Sequence, residues 1–230
     1  MNSLKSTKIL VTSLICIITI VLYSCNRTSF DSHNYSTTLE LVGYESGNSL
    51  AIKYPSGEQA ALVPLEMATA GFPGIADTRQ DNGDVQFHVF YGYNQKGLHW
   101  AVICSGPSLG FMNTNVLLSE DGGKNWSLVS DIHNTPHDVV TGAGFFNESL
   151  GFICCRYTND SGPLIYITKD GGESWNILKV SDTYESMKKI PKSPILTNQS
   201  ICFPIELRDE SGNISTVYYS SSNLESWTWS

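Results

Sequence analysis

His133, His137 and Asp138 form the densest polar constellation in the chain. Imidazole and carboxylate groups suit zinc or a similar ion, and they equally suit a polar ligand. Spacing within a loop does not force three side chains to converge. The three residues are therefore ligand-binding candidates, with no metal and no cofactor assigned. Beyond Arg27 the guanidinium groups are Arg79, Arg156 and Arg208. A guanidinium fork matches a carboxylate bidentately, so Arg156 and Arg208 join the ligand-binding candidates and all three are weak catalytic candidates. Ser108, in Gly106-Pro-Ser-Leu-Gly110, matches the G-x-S-x-G pattern of hydrolase nucleophiles. That elbow needs a helix after the serine, and strand-like sequence follows instead, so Ser108 is a loop residue. There is no P-loop, no H-E-x-x-H and no EF-hand loop, and no catalytic residue is assigned.

The elements that must position these groups are strands. Ser119-Glu-Asp-Gly-Gly-Lys-Asn-Trp126 returns as Thr168-Lys-Asp-Gly-Gly-Glu-Ser-Trp175, and a worn copy, Ser220 to Trp227, ends the chain. The template is Ser/Thr-x-Asp-x-Gly-x-x-Trp, carried by Ser119, Asp121, Gly123 and Trp126, then by Thr168, Asp170, Gly172 and Trp175. In the third copy Ser222 stands for the aspartate and Leu224 for the glycine, so its turn must be held differently, with Asn223 as the candidate. Units of about 40–50 residues, each with four short strands, are the requirement of a propeller blade. Glycine supplies positive φ in the turn, aspartate and hydroxyl accept the turn's own N–H groups, and tryptophan lays its ring over the hairpin. Convincing helical periodicity is missing; only Asp182 to Lys189 could make a helical turn. The expected fold is all-β, a small or partial β-propeller of four-stranded antiparallel blades, about four in number. They cover roughly 37–84, 85–130, 139–180 and 195–230. Thr38 to Gly43 would close the ring against the last blade, and self-association would complete an open arc.

These boxes resemble the Asp-box, or BNR, repeat of sialidases and related secreted propellers. Similar blades occur in photosystem assembly factors and xyloglucanases. The resemblance implies that the boxes are structural and lie on the propeller edge away from the ligand. It also implies an alternative, a sialidase-like glycoside hydrolase with three arginines, a tyrosine nucleophile and acidic partners. Arg79, Arg156 and Arg208 match the arginine count, but the family's early Arg-Ile-Pro motif is missing and no Tyr–Glu pair can be mapped.

Lys5 and Lys8 precede an apolar run from Ile9 to Leu22 and then Tyr23-Ser24-Cys25. A basic start, a short apolar core and a small residue at the cut describe a secretory leader over 1–24. Its ending resembles the lipobox of bacterial lipoproteins, which implies lipidation of Cys25. A polar tether over 25–36 would then lift a propeller domain, 37–230, off the membrane in an extracytoplasmic location. The net charge is −8 over 230 residues and becomes more negative once the two lysines depart. With no basic stripe, nucleic acid is excluded as a general partner. Cys104, Cys154, Cys155 and Cys202 fall at similar distances before the repeat tryptophans, which reads as a small apolar residue at a buried strand position. Their disulfide state stays open. The reading is a surface-anchored, non-catalytic binding or assembly module whose ligand is a glycan or a protein.

Overall fold

A computed structural model of the chain describes residues 37–73, 86–94, 96–106, 111–156, 163–180, 183–184, 186–196 and 200–230. Its strands are β1 (Thr37–Ser46), β2 (Ser49–Lys53), β3 (Gln59–Pro64), β4 (Gln86–Tyr93), β5 (His99–Cys104), β6 (Thr114–Ser119), β7 (Ser127–Ser130) and β8 (Val139–Phe145). They continue as β9 (Gly151–Arg156), β10 (Leu164–Thr168), β11 (Asn176–Leu178), β12 (Lys188–Pro191), β13 (Ile195–Leu196), β14 (Ile201–Arg208), β15 (Ile214–Ser221) and β16 (Thr228–Trp229). One helical turn, α1 (Leu65–Ala68), follows β3.

All the pairings between these strands are antiparallel, and they make three sheets. The first has the order β3-β2-β1-β4-β5-β6-β7, the middle β11-β10-β9-β8, and the last β12-β14-β15-β16 with β13 also on β14. The sheets stack as blades do. One face of β4–β6 packs on the middle sheet through Phe90, Trp100, Val102, Val116, Phe145 and Ile153. The other face of the middle sheet packs on the last through Phe152, Cys154, Ile165, Phe203 and Ile205. β5 is buried from Trp100 to Cys104 because cores cover both its faces, so its sequence is a continuous apolar run. β14 shows the half-exposed alternative. Ile201, Phe203, Ile205 and Leu207 point inward, while Glu206 and Arg208 alternate outward. Burying each large side chain contributes about 1.5–3 kcal/mol. The fold is therefore all-β and partially propeller-like, as the repeats predict.

The four strand groups are present, but they form three sheets because β1 pairs with β4, from Thr37↔Tyr93 to Tyr44↔Gln86. The strands expected to make their own blade over 37–84 instead extend the sheet of the next unit. That seven-stranded sheet curls into a half-barrel over its own core of Leu41, Leu50, Ile52, Val63, Phe87, Val89 and Tyr91. α1 covers this core with Leu65 and Ala68. Asn115, buried in β6, holds the helix end by donating from Nδ2 to the carbonyls of Met67, Ala68 and Ala70 at 3.1–3.2 Å. The expectation that Thr38 to Gly43 closes the ring on the last blade is corrected: β1's partners are β2 and β4. Of the stretch from Asp182 to Lys189, which could have made a helical turn, Lys188 and Lys189 belong to β12, which supplies the last sheet with its missing strand.

The inner edge of the middle sheet is sealed as well. Thr141 Oγ1 donates to the Pro191 carbonyl at 2.6 Å, and the Ala143 N–H donates to Ser193 Oγ at 3.2 Å. Gly142 permits this approach, because a Cβ there would lie 2.2 Å from the Ser193 nitrogen. An otherwise open strand edge is thus covered by the connection between β12 and β13.

Candidate functional site

The box residues are assembled as the repeat demands. In the first box Ser119 Oγ donates to Asp121 Oδ1 at 2.9 Å and accepts from the Gly123 N–H at 2.9 Å. Asp121 Oδ1 also accepts from the N–H groups of Lys124 and Asn125 at 3.1 and 2.9 Å, and Oδ2 accepts from Asn125 Nδ2 at 2.6 Å. The second box repeats the scheme: Thr168 Oγ1 donates to Asp170 at 2.7 Å and accepts from Gly172, and Ser174 donates through both backbone and hydroxyl. These bonds stabilise the carboxylate form. The backbone and side chain of Asn125, then Ser119, hold Asp121 down at about 2. The side chain and backbone of Ser174, then Thr168, hold Asp170 at about 2. A carboxylate so committed is a poor proton carrier at neutral pH, which opposes a general acid–base role.

The tryptophans fasten the turns differently. Trp126 Nε1 donates to the Gly123 carbonyl of its own turn at 3.1 Å. Trp175 Nε1 reaches Ser130 of the preceding unit at 3.2 Å. Each box also grips the hairpin beside it, Gly122 N–H to the Gly97 carbonyl and Gly171 N–H to the Ser149 carbonyl, both at 2.9 Å. The boxes and the hairpins β4–β5 and β8–β9 therefore share one edge of the stack.

The third box is present in a different register from the one read in the sequence. Its hydroxyl is Ser221, not Ser220, and its acceptor is Asn223, not Ser222. Ser221 Oγ accepts from the Leu224 N–H at 2.9 Å, and Asn223 Oδ1 accepts from Glu225 and Ser226 at 3.0 and 2.9 Å. The turn is one residue shorter than the first two boxes. Leu224 takes the glycine position at φ 64°, the one positive φ among described non-glycine residues.

The opposite edge carries the loops between the second and third strands of each unit and the connections between sheets. His137 and Asp138 lead into the start of β8 on this edge, and Arg156 ends β9 there. β8 begins just after Asp138, and its Val139 pairs with Arg156. Asp138 accepts from the Tyr166 hydroxyl at 2.8 Å. Phe111 forms an antiparallel bridge with Asp138, and the Met112 N–H donates to the His137 carbonyl at 2.9 Å. The loop before β6 is thus zipped to the connection before β8, and Phe111 stands 62% exposed beside this seam. His133 and His137 are exposed, with the turn at His133 held by Asp131 Oδ1, which accepts its N–H at 2.9 Å.

Arg208 lies elsewhere, on the outer face of the last sheet. Its Nε donates to Glu206 at 2.5 Å, and Lys192 pairs with the same carboxylate at 3.3 Å. Arg208 and then Lys192 lower the Glu206 carboxyl below its usual range. Arg79, Ser108, the leader, the tether and Cys25 lie outside the described residues. Phe111 was not among the sequence candidates. Its signal was an aromatic side chain immediately after the Gly106–Gly110 loop, a position with no strand to bury it.

Cys104, Cys154, Cys155 and Cys202 are free thiols. They do not share one repeat position. Ser119, Thr168 and Ser221 pair with His99, Gly151 and Ile201, so Cys202 is the counterpart of Trp100 and Phe152, and Cys104 is the counterpart of Arg156. The first three are nonetheless buried apolar fillers. Burial pushes the Cys104 thiol up to about 12, with the Thr114 hydroxyl opposing, and raises Cys154 and Cys155 as well. Thiols in that state are not nucleophiles. Among the described residues no group of three or more His, Cys, Asp or Glu is placed to hold a metal ion.

No family model and no curated protein matches the chain. Six chains of solved structures do match. One, described as YCF48 bound to D1 peptide, is 19% identical with a TM-score of 0.34, and the match covers 59% of this chain and 36% of that one. The chain thus spans about a third of that protein's length, and the likeness is too slight to bear on function.

Proposed function

We propose that this chain is a non-catalytic binding or assembly module of Asp-box type, tethered to the outside of a membrane through a lipid on Cys25, whose partner docks on the loop edge opposite the boxes. The observation that carries the proposal is Phe111, 62% exposed and fixed by its bridge to Asp138, the residue after His137, with Arg156 ending β9 on the same edge. An exposed aromatic ring held on a pinned backbone is the usual composition of a protein-binding anchor. A protein ligand is therefore favoured over a glycan at this edge. The box carboxylates and the buried thiols are committed to structure, which leaves them no evident chemistry. No observation favours the sialidase-like alternative: Arg208 is engaged by Glu206 on the outer face of the last sheet.

A photo-crosslinking amino acid placed at His137 tests the reading in cells. The expected result is a discrete protein adduct that Arg156→Ala and Phe111→Ala both diminish. No adduct, or one indifferent to both variants, would sink it. Sialoside hydrolysis above that of an Arg79/Arg156/Arg208→Ala control would overturn the non-catalytic claim. Mass spectrometry of the mature N-terminus should show an acylated Cys25, and an unmodified peptide starting elsewhere would overturn the anchor.

A further inference from the structure

The first two units differ at one cross-strand pair beside their boxes. In the middle sheet the pair is Phe145↔Gly151, and in the first sheet it is Tyr93↔His99. These positions are equivalent, because Gly151 pairs onward with Thr168 and His99 with Ser119, the hydroxyl residues of the two boxes. Gly151 leaves room for the ring opposite: a Cβ there would lie 2.5 Å from the Phe145 ring, which is wholly buried and meets Trp175 edge-on at 6.2 Å. In the first unit a histidine fills that space, and the ring is displaced outward. Tyr93 is 45% exposed and stacks on His99 with centroids 5.5 Å apart and planes 28° apart. The fold does not require an exposed ring at this position, since its own second copy buries one.

The displaced pair is braced from below. His99 Nδ1 is 2.7 Å from the hydroxyl of buried Tyr91, and a Cβ on Gly123 of the first box would lie 3.3 Å from the same nitrogen. Tyr54 packs on the same core as Tyr91. The exposed part of the pair is the Tyr93 phenol, with the His99 imidazole against its ring and the Tyr91 hydroxyl buried on that imidazole. Burial lowers the His99 pKa, against the opposing charge of Asp121, which favours the neutral ring. Phenol and neutral imidazole groups both donate and accept, as sugar hydroxyls do. A flat ring with one phenol hydroxyl, backed by an imidazole, matches the apolar face and hydroxyl edge of a pyranose.

We propose that Tyr93 and His99 form a stacking platform for a sugar ring of a neutral glycan, at the end of the half-barrel core on the box edge. This site is separate from the loop edge and stands or falls independently of it. Affinity electrophoresis of the full chain through gels containing soluble neutral β-glucan, mannan, galactan or xylan tests it. The expected result is retardation by at least one polysaccharide, weakened about tenfold or more by Tyr93→Ala and about threefold or less by Tyr93→Phe. His99→Gly, which recreates the pair of the second unit, should abolish retardation by letting the ring lie down. Thermal melts will show that the Tyr93 variants fold, since that side chain is largely outside the core. Phe111→Ala should not alter retardation. Retardation by none of the polysaccharides, or equal retardation of wild type and Tyr93→Ala, would overturn the proposal.

Discussion

The first two boxes and the third solve the same hairpin with different residues. Two use a carboxylate and a glycine pair; the third uses Asn223 and Leu224 in a turn one residue shorter. The acceptor pattern survives the loss of charge, because a carboxamide oxygen can take the same two backbone N–H groups. What the third box loses is conformational ease. A left-handed residue with a side chain costs about 1–2 kcal/mol, whereas glycine adopts that φ freely. Its tryptophan is also less committed. Trp227 stacks on Tyr219 at 5.4 Å with planes 14° apart, yet its Nε1 is buried without a partner among the described residues.

The difference can be broken at its strongest point first. Trp126→Ala removes a buried ring and its bond to Gly123, and should cost about 3–5 kcal/mol in urea unfolding. Trp227→Ala, half-buried and without that bond, should cost clearly less; equal losses would mean that the boxes contribute alike. Gly172→Ala, at φ 107° with Val129 3.3 Å from the new Cβ, should cost about 1–2 kcal/mol. Leu224→Gly should do the reverse and stabilise by up to about 1 kcal/mol, its packing against the last core limiting the gain. A loss on Leu224→Gly would show that the side chain matters more than the backbone.

Acid sharpens the comparison further. Asp121 and Asp170 are held near 2, below the ordinary aspartate value of 3.8, so their support is complete above about pH 4 and is lost as pH falls through 2. Hydrogen-exchange protection at Asn125 and Ser174, taken against the intrinsic rate at each pH, should fall across that window, while Ser226, bonded to Asn223, should show no such titration. A parallel fall in protection at all three sites would contradict the assignment. The smallest expected effect is that of Asn223→Asp, a rise of about 1–2 °C in Tm near neutral pH that disappears by pH 2.

Much of the fold was legible in the sequence because it is local. Glycine pairs, an Asx acceptor and a tryptophan at fixed offsets specify a hairpin over a few residues, and the strands on either side alternate or run apolar as their burial requires. The third box was misread by one position because Ser220, Ser221 and Ser222 are chemically alike, and only the turn's hydrogen bonds choose among them. The pairing of β1 with β4 was invisible for a different reason. It joins strands across a long intervening segment, and an apolar alternation such as Leu39 and Leu41 states which face is buried without naming the neighbour. At the loop edge, His137 and Asp138 were legible as polar residues of a connection, but that Arg156 ends β9 opposite Val139 depends on β8–β9 register. Phe111 carried a weak signal as an aromatic after the Gly106–Gly110 loop, and the bridge to Asp138 fixes its place.

The central claim is that the most recognisable residues build the scaffold while a separate edge holds the partner. The direct measurement is the yield of the His137 crosslinked adduct in two variants of equal fold content. An Asp121→Asn/Asp170→Asn double variant should keep the adduct below its melting temperature, and Phe111→Ala should lose it. Loss in the box variant with retention in Phe111→Ala would contradict the account.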